Sequence, residues 1–545
     1  MLTSASPHVP FSQSLPTGVL VSIDASRLSA LLQSYPDRQL VRHITNGFSS
    51  GFSIGVEGDV GPGTTHNNYS ALQRYQEVSK AIKKELLAGT ISGPYHQPPF
   101  SEFHCSPVTA ADKPDGSARL ILDMSSPRGD ALNEQIDKEK FTCHYSLFDN
   151  AVAMIRWVGP RAVLAKLDVK NAFRLCPVKP SEWHLLCFKW DGAFYFYVAL
   201  PYGSRSSPAI FNDFADLLCW LFHYVCKIEW VDHYLDDYLF AEQSVRACEE
   251  VLQAAQGLCA YLRIPLATEK VVGPTTCLTY LGIEIDTVDF TLRLPHEKYH
   301  KLLIMLEGWG ARTICTKREL LSLIGVLSFA CKVIKPGRTF LRRLIDLSTT
   351  GSHLSSRVSL DSEARLDIQW WQNFLPQWNG RERIHPARVC SATWGLYTDA
   401  SSVGMGGVYY NCWFSCEWPV ALVGKHINVL ELFAIAVAIF VWGDRWGEQD
   451  VVIYTDNKPI TDIWCTGSTK NKDMMCILRN LFYFLVQRNI NVHLEHVYGY
   501  SNKQADHLSR LQVTKFKDIT ANAREDPDAI PDIVWRILQG SEMAF

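Results

Sequence analysis

Two adjacent carboxylates, Asp236 and Asp237, sit in Glu229-Trp-Val-Asp-His-Tyr-Leu-Asp-Asp-Tyr-Leu-Phe-Ala241, between two strand-prone arms. Neighbouring acids at a hairpin turn repel each other unless a cation holds them. Taken alone, the pair reads equally as an acidic surface turn. Upstream, Val163-Leu-Ala-Lys-Leu-Asp168-Val-Lys-Asn-Ala-Phe173 is a second apolar strand that ends in an acid. Two strands delivering Asp168, Asp236 and Asp237 to one sheet edge form a site for two Mg2+ ions. Such a site activates a 3′-hydroxyl and stabilises a leaving pyrophosphate in line.

A second series of acids follows. Trp394-Gly-Leu-Tyr-Thr-Asp399 is a strand with an acid at its end, running into the glycine-rich turn and strand 400–409. His426-Ile-Asn-Val-Leu-Glu431 opens a long apolar helix, and Val451-Val-Ile-Tyr-Thr-Asp456 is another strand ending in an acid. His493-Leu-Glu-His496 then leads through a loop to Asp506 at a helix start. Each acid has a structural alternative. Glu431 stands three residues after Asn428, as in a capping box; Asp456 is positioned to cap the following helix; Asp399 suits an Asx turn.

With these residues quoted, the chain resembles the reverse transcriptases. Tyr234-Leu-Asp-Asp237 is similar to their Y-x-D-D hairpin, and 166–173 to the first palm motif. Leu200-Pro-Tyr-Gly-Ser-Arg-Ser-Ser-Pro-Ala-Ile-Phe-Asn212 is similar to the L-P-x-G and S-P-x-x-F segment, Lys113-Pro-Asp-Gly-Ser-Ala-Arg119 to the fingers hairpin, and Tyr280-Leu-Gly-Ile-Glu-Ile to the primer grip. The four acids Asp399, Glu431, Asp456 and Asp506, in a βββαβα-like order, resemble ribonuclease H. The resemblance implies a multidomain α+β and α/β fold, a right-hand polymerase of fingers, palm, thumb and connection followed by a ribonuclease H-like domain. It also implies RNA-directed DNA synthesis and cleavage of the RNA strand of an RNA–DNA hybrid, with two Mg2+ ions at each acid set. The implied partners are an RNA template, a DNA primer, the hybrid and dNTPs, with no membrane. Lys113 and Arg119 would face the triphosphate, the Phe173 ring would exclude a ribose 2′-hydroxyl, and Gly203 would let the backbone approach a base pair. His496, ten residues before Asp506, has the spacing of a product-release histidine. Two stretches, 329–346 and 91–99, most resemble the DIRS-like, tyrosine-recombinase retrotransposons. An alternative of a different class is an inactive or host-adopted relic that binds nucleic acid without catalysis.

The elements that must position these groups divide the chain into an N-terminal extension over 1–65, fingers and palm over 66–290 and a thumb over 291–350. A connection over 351–390, a ribonuclease H-like domain over 391–512 and a tail over 513–545 follow. The extension is weakly patterned and glycine-rich near 47–63, which predicts loop chemistry. Apolar spacing predicts one helix over 70–88 and another over 361–378. Between Glu297 and Arg343 ten Lys and Arg oppose three Glu, a local charge of 10 − 3 = +7 suited to phosphates. The 545 residues are 47% hydrophobic and 20% charged, which excludes wholesale disorder. The net charge of −3 excludes coating of nucleic acid by bulk charge, although a local basic groove remains compatible with it. The N-terminus lacks a secretory pattern, and the apolar run from Leu432 falls short of a membrane span. Sixteen irregularly spaced cysteines indicate no disulfide framework, so an intracellular location, cytoplasmic or nuclear, is expected.

Overall fold

The computed structural model describes residues 15–538 apart from 17, 21, 114, 115, 379, 385–394, 448 and 489. It divides into two compact units, Met1–Tyr280 and Leu281–Phe545.

The first unit opens with helices α1 (Ala25–Leu31) and α2 (Arg38–Ser50). Each starts at an aspartate whose carboxylate accepts backbone N–H groups, Asp24 from Arg27 and Asp37 from Gln39 and Leu40. Their inward residues Leu28, Val41, Ile44 and Phe48 join the main core. The loop reading of this region thus misses two helices, although Val41, Ile44 and Phe48 of α2 stand at helical spacing; the glycines that follow masked the signal. The helix expected over 70–88 is two pieces, α3 (Tyr69–Gln73) and α4 (Tyr75–Leu87), broken at Arg74.

Beyond them lie β1 (Ile91–Tyr95), the hairpin of β2 (Val108–Asp112) and β3 (Ala118–Leu122), helix α5 (Phe148–Val158) and β4 (Val163–Asp168). Strands β5 (Cys187–Trp190) and β6 (Ala193–Tyr197) pair with β1 in the order β1-β6-β5. Helix α6 (Ser206–Tyr224), strands β7 (Val231–Tyr234) and β8 (Asp237–Glu242), helix α7 (Val245–Tyr261), β9 (Val272–Thr275) and β10 (Cys277–Tyr280) complete the unit. The central sheet has the order β7-β8-β4-β9, with all three neighbouring pairs antiparallel. Tyr238–Ala241 are buried without alternation, because helices pack over these strands.

The second unit begins with β11 (Ile283–Asp286) and β12 (Thr291–Arg293), then α8 (His296–Gly310), β13 (Ile314–Thr316), α9 (Lys317–Ala330), α10 (Arg342–Ser348), β14 (Arg357–Ser359), α11 (Ser362–Phe374) and β15 (Glu382–Arg383). A five-stranded sheet follows from β16 (Leu396–Ala400), β17 (Gly404–Tyr409), β18 (Cys412–Glu417), β19 (Asp450–Thr455) and β20 (Asn491–His496), in the order β18-β17-β16-β19-β20. Its first three strands are antiparallel neighbours, whereas β19 runs parallel to β16 and to β20. The helices are α12 (Ile427–Trp442) after β18, α13 (Lys458–Thr466) and α14 (Lys472–Gln487) between β19 and β20, then α15 (Lys503–Ser509), α16 (Val513–Ile519) and α17 (Asp532–Leu538). The sequence pattern shows one helix between β19 and β20 where the structure has two, split at Gly467 in a left-handed conformation. Helix α12, continued to Arg445, is longer than the apolar run read from Leu432 and is, by length and composition alone, the one helix among the described residues that could cross a membrane. Most of it is buried as the central core helix of the unit.

The basic count over 297–343 overstates the free charge. Arg312 pairs with Glu319, Lys335 with Glu382, Arg342 with Asp346, and Arg343 with Glu363 and Asp367. Most of these acids fall beyond the counted window and return to it through folding. Lys301, Arg318, Lys332 and Arg338 are exposed and have no acidic partner among the described residues.

Asp367 of α11 is fully buried and ties distant parts of this unit together. Its carboxylate accepts from the Arg343 backbone N–H and guanidinium, each at 3.1 Å, and lies 3.8 Å from Arg479 Nε of α14. Burial pushes its pKa up to about 6, against the pull of both arginines. Removing one member of such a cluster strands buried charge. Asp367→Ala should therefore destabilise the second unit by about 3–5 kcal/mol in chemical denaturation; a loss below about 1 kcal/mol would show that the arginines find other partners.

Candidate active sites

The first acid set is built by strand register. On β4 every residue but Lys166 is buried, and the strand delivers Asp168 at its C-terminal end. There Asp168 stands directly opposite Asp237, the first residue of β8. Tyr234 and Asp237 close the β7–β8 hairpin, leaving Leu235 and Asp236 as its two-residue turn. Leu235 has φ of +53°, a left-handed conformation that strains a branched side chain by about 1–3 kcal/mol. The Asp236 carbonyl accepts from Val169 N–H at 2.9 Å, locking the turn against the end of β4. The three acids thus converge on one sheet end.

Two lysines partly neutralise them. Lys270 Nζ lies 2.7 Å from Asp168 Oδ2, and Lys166 Nζ lies 3.3 Å from Asp237 Oδ1. Burial still raises the Asp168 pKa, and burial together with the Asp168 charge pushes Asp236 up to about 6. The site remains short of positive charge, and its donors are all hard oxygens, so it fits a divalent cation. The sequence reading missed both lysines. Lys166 had a signal, since it lies two residues before Asp168 on the same strand face. Lys270 had none; chain reversal into β9 brings it there.

Around this set, the β2–β3 hairpin carries the two predicted cations. Lys113 N–H bonds to Ser117 O at the tip, whose residues 114 and 115 lie outside the described residues. Exposed Arg119 sits over the Tyr202 ring at 4.9 Å. Phe173, in a short 3-10 turn after β4, lies 5.2 Å from the same ring. Tyr202, quoted in the sequence without a role, therefore joins Arg119 to Phe173, while Lys113 stands apart at the tip. Gly203 has φ of +108°, and a Cβ there would lie 1.9 Å from Leu122 O. Close packing of its loop on β3 requires the glycine, independently of any base pair.

The second acid set is more compact. Ligand oxygens of Asp399 on β16, Glu431 on α12 and Asp456 after β19 lie within 4.8 Å of one another. None takes its structural alternative. His426 caps α12 through Nδ1, Asn457 caps α13, and the Asp399 Oδ2 accepts from Ser509 Oγ at 2.5 Å. Glu431 Oε2 is buried with no hydrogen-bond partner, an orphan acceptor that a cation would satisfy. Asp506 lies at the rim of this group, 2.7 Å from Arg510 Nε, with its charge still felt at Asp399. His496 is exposed at the end of β20, opposite Thr455, and outside the cluster.

Helix α15 reaches the acids because β17 has glycine where the helix crosses it, at 404 and 406. A Cβ on Gly406 would lie 2.3 Å from Leu508 Cβ, so glycine there admits the helix that carries Asp506 and Ser509. Asn502, just before that helix, donates from Nδ2 to Thr398 O at 3.0 Å. Ser509 and Asn502 were unassigned in the sequence, although Ser509 follows Asp506 by one helical turn.

Burial, together with the Asp399 and Asp456 charges, pushes Glu431 up to about 9. Burial pushes Asp399 up to about 7 despite the Ser509 hydroxyl. Without a cation, the folded state therefore holds protons that the unfolded chain has released. Stability should fall as the pH rises from about 5 to about 9, because the folded state binds more protons across that window. In chelator, melts at about pH 6 and about pH 8 should differ less for Glu431→Gln than for the native chain. Equal differences would refute the protonated Glu431.

Sequence and fold relatives agree with this architecture. The family described as Reverse transcriptase (RNA-dependent DNA polymerase) matches residues 111–285. The Transposon Tf2-3 and Tf2-7 polyproteins of Schizosaccharomyces pombe are each 25% identical over alignments covering 79% of this chain and 30% of the polyprotein. The chain thus spans about a third of the length of these relatives. Among solved structures, a foamy viral protease-reverse transcriptase in complex with dsDNA has a TM-score of 0.50 at 15% identity, covering 88% of this chain and 99% of that one. Its dRH form, in complex with ds DNA, has a TM-score of 0.50 at 16% identity, covering 90% of this chain and 84% of that one. The fold is that of a polymerase of mixed helices and sheets with a ribonuclease H-like domain. By sequence, residues 111–285 are a reverse-transcriptase region in a chain related to retrotransposon polyproteins.

Proposed function

We propose that the chain is an RNA-directed DNA polymerase with a fused ribonuclease H, acting on an RNA template, a DNA primer, dNTPs and the resulting RNA–DNA hybrid inside the cell. The observation that carries this reading is the presence of two separate acid sets on two sheets, the first within the reverse-transcriptase region. Asp168, Asp236 and Asp237 hold the cations of polymerisation; Asp399, Glu431, Asp456 and Asp506 hold those of hybrid cleavage. Two Mg2+ ions at each set would activate the attacking oxygen and neutralise charge on the leaving one. Lys113 and Arg119 bind the triphosphate, and Tyr202 steadies the Arg119 guanidinium from beneath. Phe173, backed by Tyr202, excludes a ribose 2′-hydroxyl, and His496 serves product release from the nuclease rim. The corresponding parts are fingers and palm over 66–290, thumb over 291–350, connection over 351–390 and nuclease over 391–512. We assign the element to the DIRS-like class from the phrase similarity of 329–346 and 91–99.

A primed RNA template with dNTPs and Mg2+ should be extended, and its RNA strand cleaved. Asp236→Asn should abolish extension while sparing cleavage, and Asp456→Asn should do the reverse. Extension untouched by Asp236→Asn would sink the polymerase assignment, and binding without turnover of either substrate would favour the relic. Phe173→Ala should raise ribonucleotide incorporation in the same extension assay, and unchanged sugar selectivity would remove its gate role.

A further inference from the structure

Three rings line the loop between β20 and α15. His496 meets Tyr498 edge-on, with centroids 5.9 Å apart and planes at 76°. Tyr498 in turn stacks on Tyr500 at 5.5 Å and 9°. Both tyrosines are exposed, at 67% and 71%, so they pack on each other and on no core. Two large rings stacked in water form an apolar surface that a ligand can cover.

Their place identifies the ligand. Between the tyrosines, Gly499 lies beside Asp456, since a Cβ on it would sit 3.2 Å from Asp456 Oδ2. The loop is pinned at both ends to the strands bearing the acids. Val497 N–H bonds to Thr455 O at 3.0 Å, and buried Asn502 bonds to Thr398 O. Lys503, the first residue of α15, is exposed and has no acidic partner among the described residues. Stacked rings followed by a free cation are the composition of a strand-binding track, with faces for bases and a charge for phosphate.

We propose that Tyr498 and Tyr500 are positioning residues that stack an unpaired nucleotide of the RNA strand beside the nuclease acids, with Lys503 on its phosphate. The loop thereby directs cleavage to hybrids whose RNA continues as a single strand. This rests on the nuclease reading of Asp399, Glu431 and Asp456. Bases inside a duplex stack on each other, so the track serves only the junction.

The test uses the full chain and two hybrids, one blunt and one with a single-stranded RNA extension. The extended hybrid should have a KM about tenfold lower, at similar kcat. Tyr498→Ala with Tyr500→Ala should remove that difference, while the paired Phe substitutions should restore it. Any grip from the first unit is common to all variants and cancels. Independently, 5-iodouridine in the extension should photocrosslink to Tyr498 or Tyr500 in the Glu431→Gln chain, which retains substrate. Crosslinks elsewhere, or a preference that survives the double Ala variant, would overturn the proposal. Should neither hybrid be cleaved, the nuclease reading fails, and the crosslink position alone decides the role of the tyrosines.

Discussion

Carboxylates forced together away from water are the constraint around which both halves of this chain are organised. Each buried acid raises the energy of ionising its neighbours, and a protein tolerates such a group where positive charge, a proton or a metal offsets it. The two sites meet the constraint differently. In the first unit Lys166 and Lys270 reach the acids directly. In the second, Asp399 and Glu431 have a serine hydroxyl and a backbone N–H but no lysine among the described residues, and their pKa values are driven up to about 7 and about 9. The second acid set is therefore the site with the greater unmet demand for a cation.

The architecture that imposes this crowding is economical. In the first unit a single cross-strand pairing, Asp168 with Asp237, together with a two-residue turn, fixes all three acids. In the second, three acids come from two strand ends and one helix, and the closeness of α15 depends on Gly406. Asp367 and its arginines join α10, α11 and α14, so helices that precede the five-stranded sheet are tied to one that lies between its strands β19 and β20 in sequence.

Much of this was legible because strands that end in acids carry a double signal, an apolar run and then a carboxylate. All seven acids stand in such contexts or at helix starts, and the order of strands follows their spacing. What escaped is what folding alone brings together. Lys270 stands about a hundred residues from Asp168, and Tyr202, at the variable position of the L-P-x-G segment, links Arg119 to Phe173. The basic run over 297–343 misled because Glu363, Asp367 and Glu382 fold back onto it. Helices α1 and α2 escaped although Asp24 and Asp37 cap them and Val41, Ile44 and Phe48 keep helical spacing, because the glycines over 47–63 turned the reading of the whole extension toward loop.

Whether the buried carboxylates of the second set await a cation is tested most directly by calorimetric titration of Mg2+ into the full chain in buffers of different ionisation enthalpy. At about pH 7 binding should release protons, because Glu431 gives up its proton to become a ligand, and Glu431→Gln should reduce that release. Binding with no proton release, or release unchanged by Glu431→Gln, would contradict the account.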